Sequence, residues 1–310
     1  MRISFMGKGG SGKTTLTAAY TKYIAKKNGS VLAIDGDVNV HLSQALGMEE
    51  VPISSKEKEI FEYFEGYRSI PVIGSTPPTN KSRFVTVNPD DPFLKKYSTQ
   101  KDGISLITVG TYQADDIGFS CYHGKLGVAE MFFHHLLDTE SDFVISDFTA
   151  GIDSLGTSMF LVSDINIFVV EPTNKGIKVY KDFKEKSKKE SLQTYVVVNK
   201  VIDAEDEQFI AQHFNNDELL GVIKHSALLH KFERGETRAF DAFIGENSAI
   251  FDKITTKAEQ TKRDWSKYHK RLIEIYKTNC QQWYNDYYSQ KLDSNIQEDF
   301  SYEETIKRLT

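Results

Sequence analysis

Short, nearly unbroken apolar runs recur along the chain, at residues 2–5, 31–35, 104–109, 143–147, 165–170, 195–198 and 219–223. Between them the apolar positions return every three or four residues, which is the helical period. These runs lack the strict alternation of a half-solvated sheet, so both faces of each strand must be covered. The pattern predicts an α/β fold: a doubly wound, mostly parallel sheet of about seven to eight strands, with helices on both sides. Ligands of such sheets sit beyond the carboxyl ends of the strands. Residues just after each run therefore carry the most information about function.

Two regions break the rhythm. Residues 51–103 hold six of the seven prolines, with Thr76-Pro77-Pro78-Thr79 and Asn88-Pro89-Asp90-Asp91-Pro92 as turns. This region is expected to be an irregular insertion, with a short helix near residues 56–64. From residue 250 to 291 the apolar positions Phe251, Ile254, Ala258, Trp265, Tyr268, Leu272, Ile275, Tyr276, Cys280, Trp283 and Tyr287 describe one long amphipathic helix. It could break near Thr255-Thr256 or Asn279. A polar tail follows, with a weak helix near residues 303–309. The division expected is a main domain over residues 1–248 and a helical extension over 249–310.

Bulk properties narrow the class. Net charge is −6, which is not the basic excess of a nucleic-acid-binding protein. The two cysteines, Cys121 and Cys280, are far apart and fit a reducing cytoplasm better than a disulfide scaffold. The first strand starts at once, so no secretory leader is expected. No apolar run reaches the roughly 20 residues needed to span a bilayer.

The chemistry begins at Gly7-Lys8-Gly9-Gly10-Ser11-Gly12-Lys13-Thr14-Thr15, between the first strand and a helical pattern. G-x-x-x-x-G-K-T in that setting is a phosphate-binding loop. Backbone N–H groups from Gly9 to Thr15 and the helix dipole would cradle phosphate oxygens. Lys13 would reach the β/γ-phosphates, and the Thr14 hydroxyl would sit on Mg²⁺. ATP and Mg²⁺ are the cofactors implied. Asp35 and Asp37 end the second run, where a carboxylate can position water near a γ-phosphate. Ordinary capping aspartates are the alternative. Asp147 ends the run at 143–147, the place of a carboxylate that holds Mg²⁺ through water. Gly151 can bring a backbone N–H to the γ-phosphate. Asn199-Lys200 follows the run at 195–198, where an Asn amide offers both a donor and an acceptor to adenine and a Lys stem can pack on its ring.

The loop K-G-G-x-G-K-T-T resembles the deviant loop of the MinD/ParA class of dimeric P-loop ATPases. The resemblance implies that Lys8 reaches across a homodimer to the partner's nucleotide. It also implies that Asp37 positions the attacking water and that Asp35 supports the Mg²⁺ shell. Asp147-Phe148-Thr149-Ala150-Gly151, Val169-Val170-Glu171-Pro172-Thr173 and Thr76-Pro77-Pro78 are similar to the accessory ATPases that mature nickel carbon monoxide dehydrogenase. That likeness spans roughly residues 1–235 and has no counterpart for the tail.

Those accessory proteins carry C-x-C where this chain has Cys121-Tyr122-His123. Two subunits would supply two Cys and two His, competent for Zn²⁺ or Ni²⁺. A small buried Cys and a polar residue at a helix start are the alternative. His134 and His135 are adjacent on a helix, face different ways and are no ligand pair. Residues 253–277 hold eight Lys and Arg against Glu259, Asp264 and Glu274. A basic helix can bind nucleic acid or membrane, but a solvated face is the expectation. The leading reading is a dimeric ATP-hydrolysing switch serving metallocentre maturation or metal delivery, with an unknown protein client on the terminal helix. The rivals are a positioning or partition ATPase on DNA or membrane, and a low-turnover nucleotide-regulated protein-binding module.

Overall fold

The computed structural model describes residues 1–64, 76–112, 122–148, 153–279 and 296–309. The strands are β1 (Arg2–Gly7), β2 (Val31–Gly36), β3 (Val85–Thr86), β4 (Thr99–Lys101), β5 (Ile104–Thr108), β6 (Leu136–Leu137), β7 (Val144–Phe148), β8 (Ile165–Val170), β9 (Thr194–Val201) and β10 (Leu219–Lys224). Eight form one sheet in the order β10-β9-β8-β1-β7-β2-β5-β4. Every pairing is parallel except that of β4 with β5. The chain moves outward from β1 through β2 to β5, returns to β7, then crosses to β8 and continues to β10. The sheet is the doubly wound one expected from the apolar runs.

Period-two geometry explains the two cores. On β2, Leu32 and Ile34 face a layer containing Ile60, Val85, Phe93 and Phe132. Val31 and Ala33 face the opposite layer, with Leu16, Ala19, Tyr20 and Ile24. The second layer is built by α1 (Lys13–Asn28), α2 (Leu42–Leu46), α8 (Ala227–Glu233), α9 (Thr237–Glu246) and α10 (Ser248–Glu259). The first holds α3 (Glu57–Tyr63), α4 (Pro92–Tyr97), α5 (Tyr122–His134), α6 (Asn174–Ser187) and α7 (Ala204–Ala211). The proline-rich segment thus feeds the core through Phe61, Phe93, Leu94 and Tyr97. Its helix α3 lies where the sequence places one. Helix α4, which the sequence pattern does not announce, follows the turn expected at residues 88–92; Asp91 caps it by accepting from Phe93 N at 2.9 Å, and Pro92 occupies the first helical position.

Among the described residues the expected single C-terminal helix is two helices, α10 and α11 (Trp265–Asn279), and the break falls at residues 260–264. Thr255-Thr256 lies inside α10, and residues 280–291 of the expected helix are outside the described residues. The cause is tertiary. Arg263 turns inward at the break and donates to both Asp164 oxygens at 2.8 Å and to Asp138 Oδ1 at 2.9 Å. Arg2 meets the same Asp138 through Nε at 2.8 Å. Burial alone would raise the Asp138 carboxyl; Arg2 and Arg263 hold it well below the usual carboxylate range. Asp264 then caps α11, accepting from Lys267 N at 2.8 Å. The apolar stripe of α11 is covered by this chain: Tyr268 and Leu272 pack with Phe300, Tyr302 and Leu161. Trp265 stacks on Tyr302 of the last helix, Tyr302–Leu309, with ring centroids 4.6 Å apart. Among the described residues no helix is long and apolar enough to cross a membrane.

Candidate functional site

The loop after β1 is squeezed between its neighbours, which dictates where it has no side chains. A Cβ on Gly7 would lie 2.5 Å from the Val169 carbonyl of β8. Gly12 has φ +91°, and a Cβ there would lie 2.3 Å from Asn199 Nδ2. Asn199 donates through that nitrogen to Ser11 O at 2.8 Å. Lys200 has a left-handed backbone, φ +65°. Its ammonium donates to Gly10 O and pairs with Glu171 at 2.8 Å. Asn199 and Lys200 therefore grip the phosphate loop from β9, an arrangement the sequence did not suggest. Glu171, just beyond β8, anchors Lys200.

Lys13 opens α1 with its side chain almost buried and directed at two acids. Its ammonium bonds Asp37 Oδ2 and stands 3.3 Å from Asp147 Oδ1. Burial opposes the charge, but Asp147 and Asp37 hold the Lys13 pKa above the ordinary lysine value. Burial pushes the Asp37 carboxyl up, and Lys13 beside it brings it net below its usual value. Asn39 also donates to Asp37 Oδ1, from backbone and side chain, at 2.9 Å each. Asp147 is fully buried, and its desolvation outweighs Lys13, so its pKa is raised. Asp35 faces Asp147 across the β2–β7 register. Burial first, and the Asp147 charge second, push it up to about 7. Its oxygens accept from Asp37 N at 3.3 Å and Leu42 N at 2.9 Å, which shapes the turn carrying Asp37.

Thr14 Oγ1 donates to Asp147 Oδ2 at 2.5 Å. A hydroxyl and a carboxylate side by side beneath a phosphate loop are the hard oxygen donors that Mg²⁺ uses, with phosphates and waters completing its shell. The residues present fit that ion. Among the described residues no group of three or more His, Cys, Asp or Glu converges as a metal cluster.

These groups line a cleft of about 980 Å³ at the carboxyl ends of the strands. Gly9, Gly10, Gly12, Lys13, Thr14, Thr15, Asp37, Asn199 and Lys200 all border it. Lys8 is half-buried and has no side-chain partner among the described residues. Gly151 and Cys121 lie outside the described residues; His123 falls in the first turn of α5, and its side chain is outside them too. His134 and His135 point apart as expected: His134 Nε2 meets Ser158 Oγ at 3.1 Å, and His135 Nδ1 meets Met131 O at 2.8 Å. The sequence reading missed Asn39, His41 and Tyr112 on one wall, and Leu229, His230 and Glu233 of α8 on the other. The rule that ligands sit beyond strand ends leads from β10 to Lys224, His225 and Ser226, which also line the cleft, and α8 follows the Ser226 cap directly.

A strand, a glycine loop gripped from β9, and a lysine between two buried aspartates define a P-loop nucleotide-binding domain. The chain belongs to the CobQ/CobB/MinD/ParA nucleotide-binding domain family, whose pattern matches residues 4–237. An ATP-binding protein of Methanocaldococcus jannaschii is 32% identical over 234 residues, covering 74% of this chain and 90% of that one. The carbon monoxide dehydrogenase accessory protein CooC of Rhodospirillum rubrum is 22% identical over 247 residues, covering 78% and 90%. Two solved structures share the fold. A plasmid partition protein of Borrelia burgdorferi bound to AMPPNP has a TM-score of 0.55 at 17% identity, covering 83% of this chain and 98% of that one. The septum site-determining protein MinD of Pyrococcus horikoshii, complexed with Mg-ADP, has a TM-score of 0.53 at 19% identity, covering 82% and 95%.

Proposed function

We propose that this protein is a Mg²⁺-dependent ATPase that works as a switch, two copies closing on ATP and parting after hydrolysis. The observation that carries the reading is the convergence of Lys13, Asp37 and Asp147 beneath the loop. Lys13 is held between carboxylates until phosphate draws it away, so the loop is charged for the β/γ-phosphates before they arrive. When Lys13 swings to phosphate, Asp37 Oδ2 loses its partner while Asn39 still fixes Oδ1. An ionised, oriented carboxylate then accepts from the attacking water and sets its line to the γ-phosphorus. Thr14 and Asp147 would hold Mg²⁺, which supplies charge neutralisation across the β- and γ-phosphates. Asp35 acts through the turn, keeping Asp37 in place. Lys8, without a partner in its own chain among the described residues, is free to reach the nucleotide of a second copy.

Similarity to CooC supports a client in metallocentre maturation, with Cys121 and His123 as the residues to examine for Zn²⁺ or Ni²⁺. The switch is tested by solution mass from light scattering with ADP and with a non-hydrolysable ATP analogue. The mass should double only with the analogue. Lys8→Ala should bind ATP yet stay monomeric, and Lys13→Ala should lose ATP binding in calorimetry. A monomer under both nucleotides would sink the dimer switch; undiminished ATP affinity in Lys13→Ala would remove the phosphate-loop role.

A further inference from the structure

At the opposite end of the sheet, where β8 and β9 begin, the extension closes a second open cleft of about 880 Å³. One wall is the end of α6 and the turn into β9; the other is the break at 260–264 and the first turns of α11. Its charges are unevenly satisfied. Each wall acid has a partner. Asp164 is taken by Arg263, Glu190 accepts from Arg271 Nε at 2.9 Å, Glu274 accepts from Arg271 at 3.1 Å, and Asp264 caps α11. Lys189, Lys267 and Lys270 line the same cleft, are exposed, and have no side-chain partner among the described residues. Three cations are left unanswered on a chain whose net charge is −6.

We propose that this groove docks a short acidic segment of a partner protein, its carboxylates pairing with Lys189 on one wall and with Lys267 and Lys270 on the other. Complementary charge of this kind fixes the register of an encounter and suppresses wrong partners. Nucleic acid suits the groove less well. Strong duplex binding draws on roughly 6–10 phosphate contacts, whereas three free lysines stand here among four carboxylates. A lipid surface suits it less well again, because an interfacial helix needs a free apolar face and that of α11 is buried against Leu161, Phe300 and Tyr302. The proposal does not depend on ATP-driven dimerisation.

The test uses the full chain at low ionic strength and a fluorescent hexaglutamate peptide read by anisotropy. Lys189→Gln/Lys267→Gln/Lys270→Gln should weaken binding about tenfold, the sum expected for three exposed charge pairs. Lys56→Gln/Lys81→Gln/Lys175→Gln changes the net charge equally, away from the groove, and should leave binding unchanged. The same two variants are titrated with a thymidine dodecamer and with phosphatidylglycerol vesicles, for which no groove-dependent binding is expected. Absent peptide binding, equal loss in both triple variants, or groove-dependent binding of the oligonucleotide or vesicles overturns the proposal.

Discussion

A methyl group at Gly12 would fail twice. It would demand φ near +91° from an L-residue, costing about 1–2 kcal/mol, and it would collide with Asn199 Nδ2. Gly12→Ala is therefore expected to displace Asn199 from Ser11 O, lowering ATP affinity at least tenfold in calorimetry while the far-ultraviolet spectrum stays intact. Wild-type affinity would show that the contact between β9 and the loop is dispensable. Glu171→Gln asks a finer question. It keeps a hydrogen-bond acceptor for Lys200 but removes the charge that fixes its ammonium at Gly10 O. A rise in KM for ATP with little change in kcat is expected, because the pair positions the loop and touches no reacting atom. The loop itself was legible from spacing alone, because glycine, lysine and threonine at fixed offsets follow from phosphate geometry. That Asn199 and Lys200 hold the loop was not legible, because it depends on β9 lying close to β1, with only β8 between them.

Elements with a full apolar period were readable, and those fixed by one distant partner were not. The seven apolar runs became the seven long strands. The two-residue β3 and β6 and the exposed edge strand β4 are too short to show a period. The break before α11 carries no glycine or proline; it exists because Arg263 must reach Asp138 and Asp164. That buried cluster ties the start of α11 to Arg2, Asp138 and Asp164. Asp138→Asn strands Arg2 and Arg263 without their shared carboxylate, and loss of one partner in a buried ion network costs about 3–5 kcal/mol. The pH dependence has a definite sign. The folded Asp138 pKa is depressed, so its contribution is full above the unfolded value of about 3.9 and declines as pH falls below it. Urea unfolding should show the large penalty at neutral pH and a smaller one near pH 3. An equal penalty at both would mean that the carboxylate charge is not what Asp138 contributes.

On the scale of the whole molecule the two clefts lie at opposite ends of one sheet, and α1 runs from the phosphate loop toward the extension. Its Tyr20 lies 5.8 Å from Phe251 of α10, ring to ring, and meets Thr255 Oγ1 at 3.0 Å. This contact ties α10 to the helix that begins at Lys13, whereas the Arg263 cluster ties α11 to strand ends that never approach the nucleotide. The two attachments should therefore separate in measurement. Phe251→Ala opens a cavity against α1, costing about 3–5 kcal/mol, and should also weaken ATP binding severalfold, because the helix presenting Lys13 and Thr14 loses its backing. Arg263→Met should lower the urea midpoint comparably yet leave ATP affinity within about twofold, as for independent sites. If Arg263→Met instead shifted ATP affinity tenfold, α11 would be energetically coupled to the ATP cleft. By reciprocity, ATP would then change the affinity of whatever α11 binds by the same factor.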